Sequence, residues 1–254
     1  MYNEELQAVG HTAKKKVSML ENHFGGALVS NLLGGLYVCF GTMLAYAIGG
    51  LLGTSNPASK IAMGLAFGIA LTLIVFAGAD LFTSNTMYMA MGVGQKTTTA
   101  MGALKVCAFS WAINFAGSII AGILFVQGGL INDKIADYVV YAVNGKISLT
   151  APEMLIRGIL CNTLVCLASW MSYRMKNEAG KVLMILWAVF AFMVAGYEHS
   201  IANMGLFTIA ALIPQGSGLA LGLMAKNLII VTIGNVIGGS VIMGLGYTYM
   251  SKKK

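Results

Sequence analysis

Glu198, His199 and Asn203 lie in AGYEHSIANMG (Ala195 to Gly205), between the apolar runs VLMILWAVFAFMV (Val182 to Val194) and GLFTIAALI (Gly205 to Ile213). Histidine is the side chain whose ordinary pKa lets it pass protons near neutral pH. An ionisable group at the centre of an apolar crossing costs about 2.5–3.5 kcal/mol on insertion scales, so it is expected to face a pore or a partner rather than lipid. The plainer alternative for His199 is a neutral, hydrogen-bonded packing residue. Its neighbour Glu198 reads as an acceptor for backbone N–H groups at a helix start, with Lys146 as an ionic partner.

The segment has a counterpart in AGADLFTSNTM (Ala77 to Met87). Gly78 and Gly196 are each followed two positions later by an acid, Asp80 and Glu198, and seven positions later by an asparagine, Asn85 and Asn203. Asp80 reads as an acceptor for freed N–H groups. Thr83, Ser84 and Ser200 stand where new helices begin and read as N-caps, with Thr83 alternatively reaching His199 across a pore. Asn162, one polar residue in an apolar helix, lines a path or joins helices. Phe67, Leu71, Leu81, Phe82 and Phe192 lie near these breaks as candidate hydrophobic constrictions. One histidine with no nucleophile, metal set or cofactor loop at its depth gives no enzyme, no cofactor and no metal site. Cys39, Cys107, Cys161 and Cys166 sit inside apolar runs and read as small buried residues.

The elements that carry these residues are membrane-spanning. The chain is 57% hydrophobic, 10% charged and has a mean hydropathy of +0.78, against roughly a quarter charged residues in soluble domains. Six spans are expected, at about 27–53, 60–92, 99–127, 152–173, 181–213 and 225–250. The second and fifth are too long for one crossing and are interrupted. Two further echoes keep the same order: ALVSNLL (Asn31) with GILCNTL (Asn162), and NFAGSIIAG (Asn114, Gly117) with NVIGGSVIMG (Asn235, Gly238). Together they predict a duplicated three-span unit, 27–127 and 152–250, inserted in opposite directions. The result is one all-α membrane domain, 1–254, with helices 2 and 5 broken. Unwound backbone is tolerated in a bilayer only where it is buried or lines a watery path.

Lysines and arginines gather at Lys14 to Lys16, Lys96, Lys105, Arg174, Lys176, Lys181 and Lys252 to Lys254, which places both termini in the cytoplasm. Residues 1–24 are too polar for a signal peptide. They read as an amphipathic arm that lies on anionic lipid or, alternatively, gates the cytoplasmic mouth.

GADLFTSNTM (Gly78 to Met87), GILCNTLVCLA (Gly158 to Ala168) and GYEHSIANM (Gly196 to Met204) resemble, in order, the second-, fourth- and fifth-helix signatures of the formate/nitrite transporter family. Thr163 departs from the bulky apolar residue usual after the asparagine. The resemblance covers nearly the whole chain. It implies an aquaporin-like fold and a homopentamer in the lipid bilayer of the cytoplasmic membrane, each protomer with its own pore for small monovalent anions. It implies His199 as the central pore group with Thr83 and Asn162 beside it. Leu71 and Leu81 would form the cytoplasmic constriction, Phe67 and Phe192 the other, with Lys146 and Glu198 near the pore. Within the family the chain most resembles the hydrosulfide-channel branch, with formate and nitrite as further substrates; nucleic acid is not a partner.

Two mechanisms stay open on the sequence. Protonation near His199 turns the anion into a neutral acid that crosses the apolar rings, or the anion crosses charged, held by backbone N–H groups and Thr83. An aquaporin-type neutral-solute channel would carry two Asn-Pro-Ala boxes, and the single Asn56-Pro57 lies in a loop. An ammonium channel would carry two facing pore histidines. An ion-coupled transporter would accumulate its solute against a gradient.

Overall fold

The computed structural model describes residues 2–251, so the basic cluster Lys252 to Lys254 lies outside the described residues. Among those residues the structure is all helical. The helices are α1 (Asn3–Asn22), α2 (Phe24–Leu52), α3 (Ala58–Leu73), α4 (Phe82–Gly94), α5 (Ala100–Gln127) and α6 (Asp133–Ile147). They continue with α7 (Ala151–Arg174), α8 (Glu178–Val194), α9 (Ser200–Leu212), α10 (Leu221–Val236) and α11 (Gly246–Met250). A π-helical turn, Ile74–Gly78, closes α3, and a longer π-helical stretch, Ile237–Leu245, joins α10 to α11.

Five continuous helical stretches are long and apolar enough to cross a membrane: Phe24–Leu52, Ala58–Gly78, Ala100–Gln127, Ala151–Arg174 and Leu221–Met250. The fifth expected span is divided instead into α8 and α9, and the second into α3 and α4, with the breaks where the sequence places them. Each break turns at a glycine in the left-handed region, Gly78 at φ +80° and Gly196 at φ +75°. A side chain at either position would strain the backbone.

Each break is then fixed by one asparagine from a neighbouring helix. Asn114 of α5 accepts from the Phe82 N–H (2.8 Å) and donates to the carbonyls of Asn31 (2.7 Å) and Asp80 (2.9 Å). Asn235 of α10 accepts from the Ser200 N–H (2.9 Å) and donates to the carbonyls of Gly158 (2.8 Å) and Glu198 (3.0 Å). The Asp80 N–H donates to Ser30 O, and the Glu198 N–H donates to Arg157 O. An interrupted helix leaves N–H and C=O groups without partners. Here two amides satisfy them with the same bonding pattern at both sites.

These bonds correct one sequence echo. They match Ser30 with Arg157 and Asn31 with Gly158. Gly117 packs on the Leu32 carbonyl as Gly238 packs on that of Ile159. Asn162 therefore corresponds to Gly35, and the echo of Asn31 with Asn162 is out of register by one helical turn. The sequence match followed an identical residue where the fold matches a backbone position.

Helix α1 also departs from its lipid-surface expectation. Its apolar face, Leu6, Val9 and Ala13, is buried against the protein, among Met87, Met91 and Trp170 for the first two and Met89 and Val106 for the third. Thr12 pairs with the Tyr173 hydroxyl (3.0 Å), and Lys16 pairs with Asp80. Buried apolar contacts and an ion pair outweigh an interfacial position for this helix.

Candidate functional site

The two breaks bring together the ends of α4 and α9. His199 is the N-cap residue of α9, and its Nδ1 accepts the Ala202 N–H at 3.1 Å. Its Nε2 lies 3.2 Å from the hydroxyl of Thr83, in the first turn of α4. An imidazole nitrogen that accepts a backbone N–H carries no proton of its own. The neutral ring therefore holds its proton on Nε2 and donates it to Thr83 Oγ1. Doubly protonated His199 would lose the cap bond, worth about 1 kcal/mol.

The ring is stacked on Phe192, with centroids 6.1 Å apart and planes 18° apart. Phe192 meets Phe67 edge to face at 6.0 Å. Together with Leu71, Leu81 and Val38 these side chains close a cavity of ≈ 10 Å³ around His199. That volume is about enough for one water. Except for the imidazole its walls are apolar.

Larger cavities lie on either side. One, of ≈ 470 Å³, begins at Leu81 and is lined by Ser84, Tyr88, Ser169, Tyr173 and, from α1, Thr12 and Lys16. The other, of ≈ 590 Å³, is lined by Tyr46, Lys60, Lys146, Arg157 and Glu198. Both present hydroxyls and cationic side chains, which raise the local concentration of small anions.

Glu198 lines the second cavity rather than the small chamber. Its carboxylate accepts from Lys146 Nζ (2.8 Å) and from Asn203 Nδ2 (2.7 Å). Asn203 Nδ2 also reaches Asn227 Oδ1 (2.9 Å), and Asn227 Nδ2 returns to the Lys146 carbonyl (3.2 Å). The ring of contacts is closed, so the buried carboxylate is fully compensated. Burial is the largest influence and disfavours the Lys146 ammonium, but the charge and hydrogen bond of Glu198, together with Tyr46 and Cys161, outweigh it and hold the lysine above its ordinary 10.5.

Several expectations are corrected. Asp80 does not accept the N–H groups of α4; Asn114 does, and the Asp80 carboxylate is left to pair with Lys16. Neither Thr83, Ser84 nor Ser200 is an N-cap. Thr83 bonds His199, Ser84 bonds Ser169 (3.0 Å), and the buried Ser200 hydroxyl has no protein partner. Phe82 faces away from the chamber into an apolar groove with Met89, Trp111 and Leu245. Asn162 and Asn203 are buried and line neither the chamber nor the two larger cavities: Asn162 Nδ2 donates to the Thr83 carbonyl (3.1 Å), Thr86 Oγ1 (3.0 Å) and the Asn235 carbonyl (2.6 Å). Sequence reasoning missed the valines of the chamber, Val38, Val165 and Val189, which no motif marks. It also missed the capping role of Asn114 and Asn235, which their repeated spacing in the third and sixth spans could have suggested.

The formate/nitrite transporter family model matches residues 3–249. The chain is 35% identical over 254 residues to the nitrite transporter NirC of Salmonella typhimurium, covering all of this chain and 93% of that one. A solved FNT family ion channel superposes with a TM-score of 0.92 at 35% identity, covering 98% of this chain and 99% of the other. A pentameric formate channel with formate bound superposes with a TM-score of 0.77 at 25% identity, covering 89% and 96%. With the family model matched along nearly its whole length, the chain is a membrane transport protein, not an enzyme, and belongs to the formate/nitrite transporter family.

Proposed function

We propose that the chain conducts small monovalent anions of weak acids through a path of cavity, chamber and cavity within each protomer. Formate and nitrite are the anions named for its relatives, and hydrosulfide is the smallest that the chamber would take. The observation that carries the reading is an imidazole whose Nδ1 accepts the Ala202 N–H, set among apolar side chains, with cation-bearing cavities on both sides.

A bare anion between Leu81 and Phe192 would lose its hydration, at a cost of several kcal/mol. One neutral donor returns about 1 kcal/mol. The cheaper course is for the anion to take a proton from hydronium in the first cavity, leaving water, as the apolar walls strip its hydration, because desolvation raises the pKa of an acid; the proton returns to water when the acid ionises in the second cavity. The neutral acid then meets His199, whose ring Thr83 holds in place, and leaves to ionise in the other cavity. His199 acts as a hydrogen-bond donor in this scheme, and its Nδ1 stays committed to Ala202.

Further parts of the reading follow. The matching Asn114 and Asn235 bonds support two inverted copies, 27–127 and 152–250, with the path between them. The pentameric relative supports a homopentamer. Positive-inside charge supports a cytoplasmic-membrane protein with both termini in the cytoplasm.

The test is a proteoliposome flux panel of formate, nitrite and hydrosulfide, with and without a pH gradient. Flux above that of protein-free vesicles, faster at lower pH, is expected. No flux of any of the three would overturn the reading. Leu81→Val, which widens the ring between cavity and chamber, should raise flux severalfold; unchanged flux would remove Leu81 from the constriction.

A further inference from the structure

The Thr83 carbonyl carries an unusual load. It accepts from Thr86 Oγ1 (2.6 Å), Asn162 Nδ2 (3.1 Å) and Cys166 Sγ (3.3 Å). These contacts hold the first turn of α4, and with it the hydroxyl that meets His199. Thr86, Asn162 and Cys166 share one further neighbour, Gly239 in the π-helical stretch. A Cβ at Gly239 would collide with Thr86 Oγ1, stand 2.6 Å from Asn162 Nδ2 and stand 3.1 Å from Cys166 Sγ. The next residue, Ser240, donates its hydroxyl to the Thr86 carbonyl (3.1 Å).

The corresponding place in the other half of the molecule is built the opposite way round. Asn162 matches Gly35, and Gly239 matches Ser118, by the registers set at Gly117, Gly238, Asn114 and Asn235. There the polar side chain comes from α5, with Ser118 Oγ donating to the Gly35 carbonyl (3.4 Å), and the glycine from α2. In the half that carries His199, the glycine stands in the π-helical stretch, and the polar side chain, here an amide, stands on α7. Only that exchange leaves room for Asn162 to reach across to Thr83 and Thr86.

We infer that Gly239, held by the π-helical stretch, is a positioning residue for solute recognition: it leaves the space in which Thr86, Asn162 and Cys166 fix Thr83 against His199. Asn162 has the reach and Thr86 the hydroxyl, but both keep their places only while position 239 has no side chain. The π-helical geometry places Gly239 here, and Gly244 at Ala90 further along α4. The inference rests on the conduction reading above and refines which residues set its selectivity.

The selectivity follows from hydrogen bonding. Formic acid offers a good acceptor to the His199 imidazole that Thr83 orients, whereas hydrogen sulfide is a weak one. Displacing Thr83 should therefore slow formate more than hydrosulfide, while a general packing defect slows both alike.

The experiment measures formate and hydrosulfide flux, per assembled channel, for wild type, Gly239→Ala, Thr86→Val and Gly244→Ala in liposomes. Thr86→Val removes the hydroxyl at nearly constant volume, so it tests the relay if Gly239→Ala fails to assemble. Gly239→Ala and Thr86→Val should each lower the formate-to-hydrosulfide ratio about 2- to 12-fold, the loss of one hydrogen bond. Gly244→Ala crowds Ala90 and stands 3.3 Å from the Gly239 carbonyl, but meets none of Thr86, Asn162 and Cys166, and should leave the ratio unchanged. A wild-type channel that passes both solutes, with Gly239→Ala and Thr86→Val slowing them equally or not at all, would overturn the inference. A wild-type channel that passes neither would instead overturn the conduction reading.

Discussion

At the scale of single residues, the imidazole and the carboxylate that stand side by side in the chain do different work. Glu198 points into a closed ring with Lys146, Asn203 and Asn227, and His199 points into the chamber. Removing Lys146 alone should be costly, because it strands a carboxylate whose side chain is 4% exposed. Lys146→Met is expected to destabilise the protein by about 3–5 kcal/mol, while Lys146→Met with Glu198→Gln should recover much of that loss. Thermal melting in detergent measures both, and equal melting of the single and double variants would contradict the pairing. The pH dependence has a definite sign. A lysine held above its ordinary 10.5 contributes stability that is whole below that value and is lost as pH climbs through the raised value. Wild-type melting should therefore fall more steeply than that of the double variant above about pH 10.5. Parallel curves would show that the pair contributes nothing.

At the scale of elements, the breaks depend on amides supplied from elsewhere. Asn235→Ala would leave the Ser200 N–H and the Gly158 and Glu198 carbonyls without their partner. Asn114→Ala would do the same to Phe82, Asn31 and Asp80. Each buried group left unsatisfied costs about 1–3 kcal/mol, so both variants should lose most of their folded yield, and by similar amounts. Size-exclusion profiles after solubilisation would show it; a loss confined to one variant would mean that the two breaks are supported differently. These breaks were legible in the sequence because Gly78 and Gly196 carry the same pattern of acid and asparagine downstream. Their support was less legible. The expectation gave Asp80, Thr83, Ser84 and Ser200 capping duties from local spacing, whereas the caps come from distant helices and from the His199 ring itself. A cap supplied over more than thirty residues, as Asn114 supplies Phe82, leaves no local signal.

At the scale of the whole molecule, composition and the order of apolar runs sufficed for an all-helical membrane protein. The pairing of Lys146 with Glu198 and of Thr83 with His199 also followed from the residues and their family resemblance. The placement of Phe82 did not, because an apolar ring beside a break can turn toward either the chamber or the groove. The docking of α1 did not, because an amphipathic helix carries the same pattern for lipid as for protein. The tautomer of His199 was unreadable for another reason: it depends on one backbone N–H, that of Ala202. That bond bears on the source of the proton in the proposed conduction. If His199 is a neutral donor and the solute takes its proton from hydronium in the aqueous cavity, pH dependence belongs to the solute and survives replacement of the imidazole. The direct measurement is formate flux into liposomes across a pH series for wild type, His199→Asn and His199→Ala. The expected result is that His199→Asn keeps the wild-type rise in flux at lower pH, while His199→Ala keeps that rise at about 2- to 12-fold lower flux. Flux in His199→Asn that no longer responds to pH would contradict the account and make the imidazole itself the proton donor.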